Sequence, residues 1–128
     1  MPNIIDSPFK SISILYRKSH IWLNDGCTQY ALTAAQAVVI LIVCDFDGLT
    51  QDVITKRLSL DKSVIAKTVA KLEELGFLVR TNNIKDRRTF DIRPTKKAWD
   101  VYPFVKRQID ECDNRMSQQM TDRERAEF

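Results

Sequence analysis

Residues 61–80 read Asp61-Lys-Ser-Val-Ile-Ala-Lys-Thr-Val-Ala-Lys-Leu-Glu-Glu-Leu-Gly-Phe-Leu-Val-Arg80, and the fold turns on the change of period inside them. From Asp61 to Leu75 apolar residues recur at three-to-four spacing, so Val64/Ile65, Thr68/Val69, Leu72 and Leu75 form the stripe of a helix that faces a core. The opposite face carries Lys62, Ser63, Ala66, Lys67, Ala70 and Lys71, with Glu73 and Glu74 at its far end. Gly76 stands where a helix wants a residue of positive φ to close it. Past that glycine the pattern becomes strand-like, in Phe77-Leu78-Val79-Arg80.

Downstream, Thr89-Phe90-Asp91-Ile92-Arg93 is a second β-rich run, with Phe90 and Ile92 on one face and Thr89, Asp91 and Arg93 on the other. The polar, basic stretch from Asn82 to Arg88 joins the two runs, which predicts a two-stranded hairpin with a basic tip. Thr95 then caps a long helix in which Ala98, Tyr102, Val105, Ile109, Cys112 and Met116 step alternately by four and three, an a/d seam. Pro103 lies within it and removes one helical hydrogen bond, so a bend is expected near 99–103. Thr121 and Glu124 have the spacing of a capping box for one further helix.

Upstream, Thr50 caps a short helix with Val53, Ile54 and Leu58 facing inward, joined to the next helix by Ser59-Leu60. Thr33 and Gln36 form a capping box opening an almost wholly apolar helix to Cys44, and 45–48 is a turn. Ser7-Pro8 opens the first helix, which Asn24-Asp25-Gly26 is expected to stop. The predicted order is helix, helix, short helix, helix, hairpin, long helix. The expected fold class is therefore mainly α with a small β-hairpin wing: a winged helix-turn-helix flanked by further helices. The expected division is 1–31 for an N-terminal helix, 32–94 for the winged helix-turn-helix and 95–128 for C-terminal helices, the last of them short.

The chain of 128 residues carries a net charge of +3. Between Thr50 and Lys97, however, twelve Lys or Arg stand against six Asp or Glu. A basic middle with faintly acidic flanks suits a phosphate-binding module, and equally a solvated lysine-rich surface; charge alone does not separate them. No run approaches the roughly 18 apolar residues of a membrane span. The amino terminus lacks the basic-then-apolar order of a signal peptide, and Cys27, Cys44 and Cys112 share no metal-like spacing. These features lead to the expectation of a soluble, cytoplasmic protein with no metal and no cofactor. One histidine, His20, three glycines and no phosphate-cradling loop give no catalytic constellation, so an enzyme is not expected.

The helix 61–75 suits a major groove for physical reasons. Ala66 and Ala70 let the backbone lie close and offer methyls to thymine, Ser63 can donate or accept at a base edge, and Lys67 reaches guanine O6 or N7. Lys62 and Lys71 flank that patch, near phosphates. Alone, this is also the description of an ordinary amphipathic helix. The hairpin tip adds Lys85, Arg87 and Arg88, which have no core duty, and a narrow minor groove attracts such arginines. Asp86 is placed to hold Arg88 through a bidentate pair.

Taken together, Leu32-Thr33-x-x-Gln36, Leu49-Thr50, Asp61-Lys62-Ser63, Leu72-Glu73-x-Leu75-Gly76-Phe77-Leu78-x-Arg80 and Asp86-Arg87-Arg88 resemble the MarR (multiple antibiotic resistance regulator) family in order and spacing. The resemblance implies a homodimer joined through first and last helices on a pseudo-palindromic operator, acting as a repressor, with 1–31 and 95–128 as dimerisation segments and 32–94 as the DNA-binding domain. By matching positions, Lys62, Ser63 and Lys67 would approach bases, and Asp86 and Arg88 would be the wing pair. It also implies release of DNA by a small aromatic effector in a crevice, for which Tyr16, His20, Trp22 and Trp99 are candidates. Two positions depart from the family pattern: Pro94 stands where leucine is usual, and Lys97 where glycine is frequent. Some members sense oxidants with cysteine, and Cys27, just after a turn, is the one expected to be accessible. The rival reading is a winged-helix protein-interaction module whose basic face takes an acidic partner. RNA fits less well, because side chains do not enter an A-form major groove.

Overall fold

The computed structural model describes residues 7–118 and 122–123. They form two compact units, Ala35–Lys106 and a second built from both flanks, Met1–Ala34 with Arg107–Phe128. The elements in chain order are α1 (Pro8–Cys27), α2 (Ala34–Asp45), β1 (Leu49–Thr50), α3 (Gln51–Leu58), α4 (Lys62–Glu74), β2 (Leu78–Asn82), β3 (Phe90–Pro94) and α5 (Lys96–Gln118), with one 3-10 turn at Thr28–Tyr30. The sequence box at Thr121 and Glu124 lies outside the described residues.

The central unit is a winged helix-turn-helix. Its core is the apolar face of α2 (Ala37, Val39, Ile40, Val43, Cys44) with Ile54, Ile65, Val69, Leu72, Phe77, Leu78, Ile92, Ala98, Val101 and Val105, all buried. The short α3 starts where Thr50 accepts the Val53 N–H (3.3 Å) and ends at Ser59, whose φ of 51° turns the chain into α4. The sheet has the order β1-β3-β2, antiparallel throughout. The two-stranded hairpin expected from sequence is thus extended by β1, which pairs Leu49 with Ile92 and Thr50 with Asp91. A two-residue strand is too short to show a period, so the pattern could not announce it.

Gly76 has φ +87°, and this reversal brings the Phe77 N–H onto the Leu72 carbonyl at 2.9 Å. Val64, assigned to the buried stripe, is 41% exposed; the stripe narrows to Ile65, Val69 and Leu72. Phe90 and Ile92 share a strand face as expected, but Phe90 lies where β3 begins and stays half exposed. The long helix α5 continues through Pro103.

In the flank unit, Ser7 caps α1 by accepting the Lys10 N–H at 3.2 Å. The expected stop at Asn24–Gly26 does not occur; α1 runs to Cys27. Asn24 instead turns its side-chain oxygen to the Ala34 N–H (2.7 Å), the first amide of α2, and Gly26 lies against the Gln108 side chain. Ala31, at φ 56°, completes the reversal after the 3-10 turn. Leu15, Leu23, Cys27, Leu32 and Cys112 are buried here.

Truncating Ile65 to alanine removes a fully buried side chain from the root of α4 and is expected to destabilise the protein by about 3 kcal/mol. Gly76→Ala meets no atom nearer than 3.8 Å, so its cost is the left-handed backbone alone, about 1 kcal/mol. Urea denaturation of the two variants should therefore separate them, with Ile65→Ala well below Gly76→Ala in midpoint.

Candidate nucleic-acid interface

The sequence of α4 gives it an outward face because Ile65, Val69 and Leu72 fix which side is inward. Lys62, Ser63, Lys67, Ala70 and Lys71 are exposed, and Ala66 is half-buried. Lys62 lies 3.9 Å from Asp52 and Lys71 lies 3.7 Å from Glu74, both pairs well exposed. Such pairs are worth little in water and give way readily to a stronger anion. Lys67 has no ion pair among the described residues. Val64 joins this surface from its edge, a residue that pattern reasoning assigned to the core; the only sequence signal was its place two turns from the well-buried Leu72 and on the flank of the stripe.

The wing tip, residues 83–89, is ordered by its own side chains. Asp86 accepts from the Arg88 backbone N–H (3.0 Å), from Arg88 Nε (3.1 Å) and from Arg88 Nη2 (3.4 Å). These bonds from Arg88 hold the Asp86 carboxyl below the usual carboxylate range. Thr89 donates its N–H and hydroxyl to the Asp86 carbonyl, both at 3.1 Å. Arg87 and Lys85 project into solvent with no ion pair among the described residues. Arg80, on β2, is held by Glu73 of α4 at 2.7 Å, a tie between recognition helix and wing that sequence alone did not single out.

The far end of α4 is closed from α5. Lys97 donates to the Leu75 carbonyl (2.6 Å) and lies over the Phe77 ring at 4.5 Å, while Thr95 donates to the Gly76 carbonyl at 2.6 Å. The central unit thus holds a cationic helix face and a cationic loop on one scaffold, each braced by named bonds.

Residues 31–89 match the family model described as MarR family. Over that segment the chain is similar to the MarR family. It is 25% identical over 77 residues to an uncharacterized HTH-type transcriptional regulator, YybA, of Bacillus subtilis (strain 168), covering 60% of this chain and 51% of that protein. The chain spans about half the length of the curated relatives it matches. Among solved structures, a MarR transcriptional regulator from Methanosarcina mazei Go1 superposes with TM-score 0.79 at 28% identity, over 93% of this chain and 86% of that one. A mutant MarR from E. coli complexed with operator DNA superposes with TM-score 0.80 at 19% identity, over 98% and 92% of the two chains, a likeness of fold.

Both departures from the MarR pattern have a local account. Pro94 ends β3 opposite Leu78, at the last position of the ladder, where a strand tolerates proline best. Lys97 supplies a side chain that caps α4, which glycine does not have.

The four effector candidates fall in different places. Tyr16 and His20, one turn apart on α1, have ring centroids 4.4 Å apart. Trp22 lies two residues further on, round the far side of that helix. There it lines a cavity of about 190 Å³ with Leu15, Lys18, Cys112, Arg115 and Met116, and the Arg115 guanidinium sits 5.2 Å from its ring. Trp99 belongs to the central unit and packs edge-on against Tyr102 at 5.5 Å; the Tyr102 hydroxyl donates to Asp45.

Cys27, expected to be accessible, is fully buried at the end of α1, because α1 runs past the stop read from sequence. Burial raises all three thiols, and nearby Asp45 and Asp47 help push Cys44 up to about 12. A thiol raised this far stays protonated, and so unreactive, through neutral pH. Iodoacetamide labelling of native protein should therefore be much slower than in urea from pH 7 to 9, and should still be rising steeply at pH 9, where labelling in urea begins to level off as the free thiol range is reached. Fast native labelling at pH 7 would contradict this burial.

Proposed function

We propose that this protein is a sequence-specific double-stranded DNA-binding transcriptional regulator, a homodimer that represses from a pseudo-palindromic operator in the cytoplasm and responds to a ligand. The observation that carries the reading is the pairing, within one compact unit, of a recognition-helix face of Lys62, Ser63, Ala66, Lys67 and Lys71 with a wing whose Arg87 and Lys85 have no ion pair among the described residues. In this arrangement Ser63 and Lys67 meet base edges, Lys62 and Lys71 exchange weak carboxylate partners for phosphates, and Arg87 enters the adjacent minor groove. Asp86 keeps Arg88 in a fixed orientation beside it. The fold likeness to a MarR bound to operator DNA supports the same docking.

The homodimer reading rests on the flank unit, and 1–31 with 95–128 are the proposed dimerisation segments around the DNA-binding residues 32–94. Phe9, Ile12 and Tyr16 of α1 are 83%, 46% and 60% exposed and recur at helical spacing. Such an apolar stripe on a helix calls for a covering surface. A second copy supplies one and sets two recognition helices one helical turn of DNA apart. The small aromatic effector is supported by the Trp22 cavity, where Lys18 and Arg115 flank an indole. Among the described residues no single helix is long and apolar enough to cross a membrane.

The test is selection of duplexes from a random pool, followed by affinity measurements across a salt series. An inverted repeat should emerge, and log affinity should fall linearly with log salt by about 0.9 per phosphate neutralised. Arg87→Ala should weaken binding to all sequences alike and make that slope shallower by about 1 for each wing engaged. A folded protein that selects no duplex sequence would contradict the reading and leave the acidic-partner alternative in its place.

A further inference from the structure

Asn83, at the base of the wing tip, is not among the residues that the family motif or the charge pattern points to. It nonetheless holds more of the tip than any other side chain there. Its Oδ1 accepts the backbone N–H groups of Lys85 and Asp86, each at 2.9 Å. Its Nδ2 donates to Asp91 Oδ1 on β3 at 2.9 Å, and its backbone N–H bonds the Thr89 carbonyl across the hairpin at 3.3 Å. The bonding fixes the amide's orientation, since only the oxygen can take two N–H donors and only the nitrogen can face a carboxylate.

That carboxylate is itself anchored. Asp91 Oδ2 lies 4.0 Å from Arg93, and Arg93 donates to the Asp47 carbonyl at 3.0 Å, in the turn before β1. The tip is thus tied through one amide to the body of the sheet and to the loop that precedes it. Arg87 follows directly on the two residues whose N–H groups Asn83 holds. An exposed arginine carries high rotamer and backbone entropy, and a base that fixes its backbone lowers what must be lost on docking.

We propose that Asn83 is the positioning residue of the wing: by fixing the 85–86 backbone against β3 it presents Arg87 and the Asp86–Arg88 pair to the minor groove. The inference rests on the duplex-binding reading above. It requires an amide at this position, with acceptor and donor on the same side chain. A carboxylate keeps the two accepted bonds but sets a second negative charge against Asp91.

The experiment uses the full chain and the duplex it selects. Asn83→Ala should bind that duplex about tenfold more weakly with a small change in urea midpoint, since the bonds lost are exposed or only part-buried in the free protein but required in the complex. Its salt slope should fall toward that of Arg87→Ala. Asn83→Asp alone should also weaken binding, whereas Asn83→Asp with Asp91→Asn, which moves the donor across the pair at constant charge, should recover to within about threefold. In an Arg87→Ala/Arg88→Ala background, Asn83→Ala should cost less than about twofold, because the groups it positions are gone. Amide exchange at Lys85 and Asp86 gives a readout independent of DNA, and should speed up in Asn83→Ala. Wild-type affinity in Asn83→Ala, or an undiminished loss in the arginine-free background, overturns the proposal. Failure of the wild type to bind any duplex removes the reading on which it rests, and unchanged amide exchange would then separately refute the ordering of the tip by Asn83.

Discussion

The closing of α4 at Gly76 is the constraint on which the rest depends. A helix end leaves carbonyls with no partner in the helix, and those of α4 lie where the chain must reverse into β2. Gly76 takes the left-handed conformation, so the Phe77 and Gly76 N–H groups return to the Leu72 and Glu73 carbonyls. Lys97 and Thr95 take the Leu75 and Gly76 carbonyls, from the start of α5. Phe77 and Leu78 then enter the core, and β2 leaves in the direction that projects the wing. Recognition helix, wing and α5 are fixed by one junction.

Charge on this frame is distributed unequally. Glu73 and Glu74 sit near the α4 carboxyl end, where they hold Arg80 and Lys71 and leave Lys67 free. In the wing, Asp86 takes Arg88 as its partner and leaves Arg87 to solvent. Each cationic element therefore combines braced cations with cations that have no ion pair among the described residues. A braced arginine gives geometry, and an unbraced one gives charge that phosphate can neutralise. The exposed Val64 and the alanines between the lysines add apolar area to this otherwise cationic face.

Much of this was legible in the sequence because the signals were local and strong. Ser7-Pro8, Thr50, Gly76 and Thr95 each do in the structure what their residue type favours. The buried side of α4, the apolar α2 and the strand face carrying Ile92 follow from period alone. What escaped had nonlocal causes. Asn24 resembled a helix stop, yet its side chain serves the Ala34 amide ten residues on, and Gly26 faces Gln108 rather than ending a helix. Cys27 was misplaced for the same reason. The strand β1 exists because β3 offers it an edge, and Val64 is exposed because the core touches a narrower arc of α4 than its apolar pattern suggests. Asn83 carries no charge and no motif, and its bonds depend on the folded hairpin.

The central claim is that the outward face of α4 reads bases while the wing reads the backbone and groove. The most direct measurement is a full specificity profile, affinity for every single-base variant of the selected duplex, for wild type and Lys67→Ala. The account predicts that Lys67→Ala flattens the preference at one base pair per half-site, with a discrimination loss of about 1–3 kcal/mol there and little change elsewhere. A uniform loss across all positions would place Lys67 on phosphate and contradict the assignment of base reading to this face.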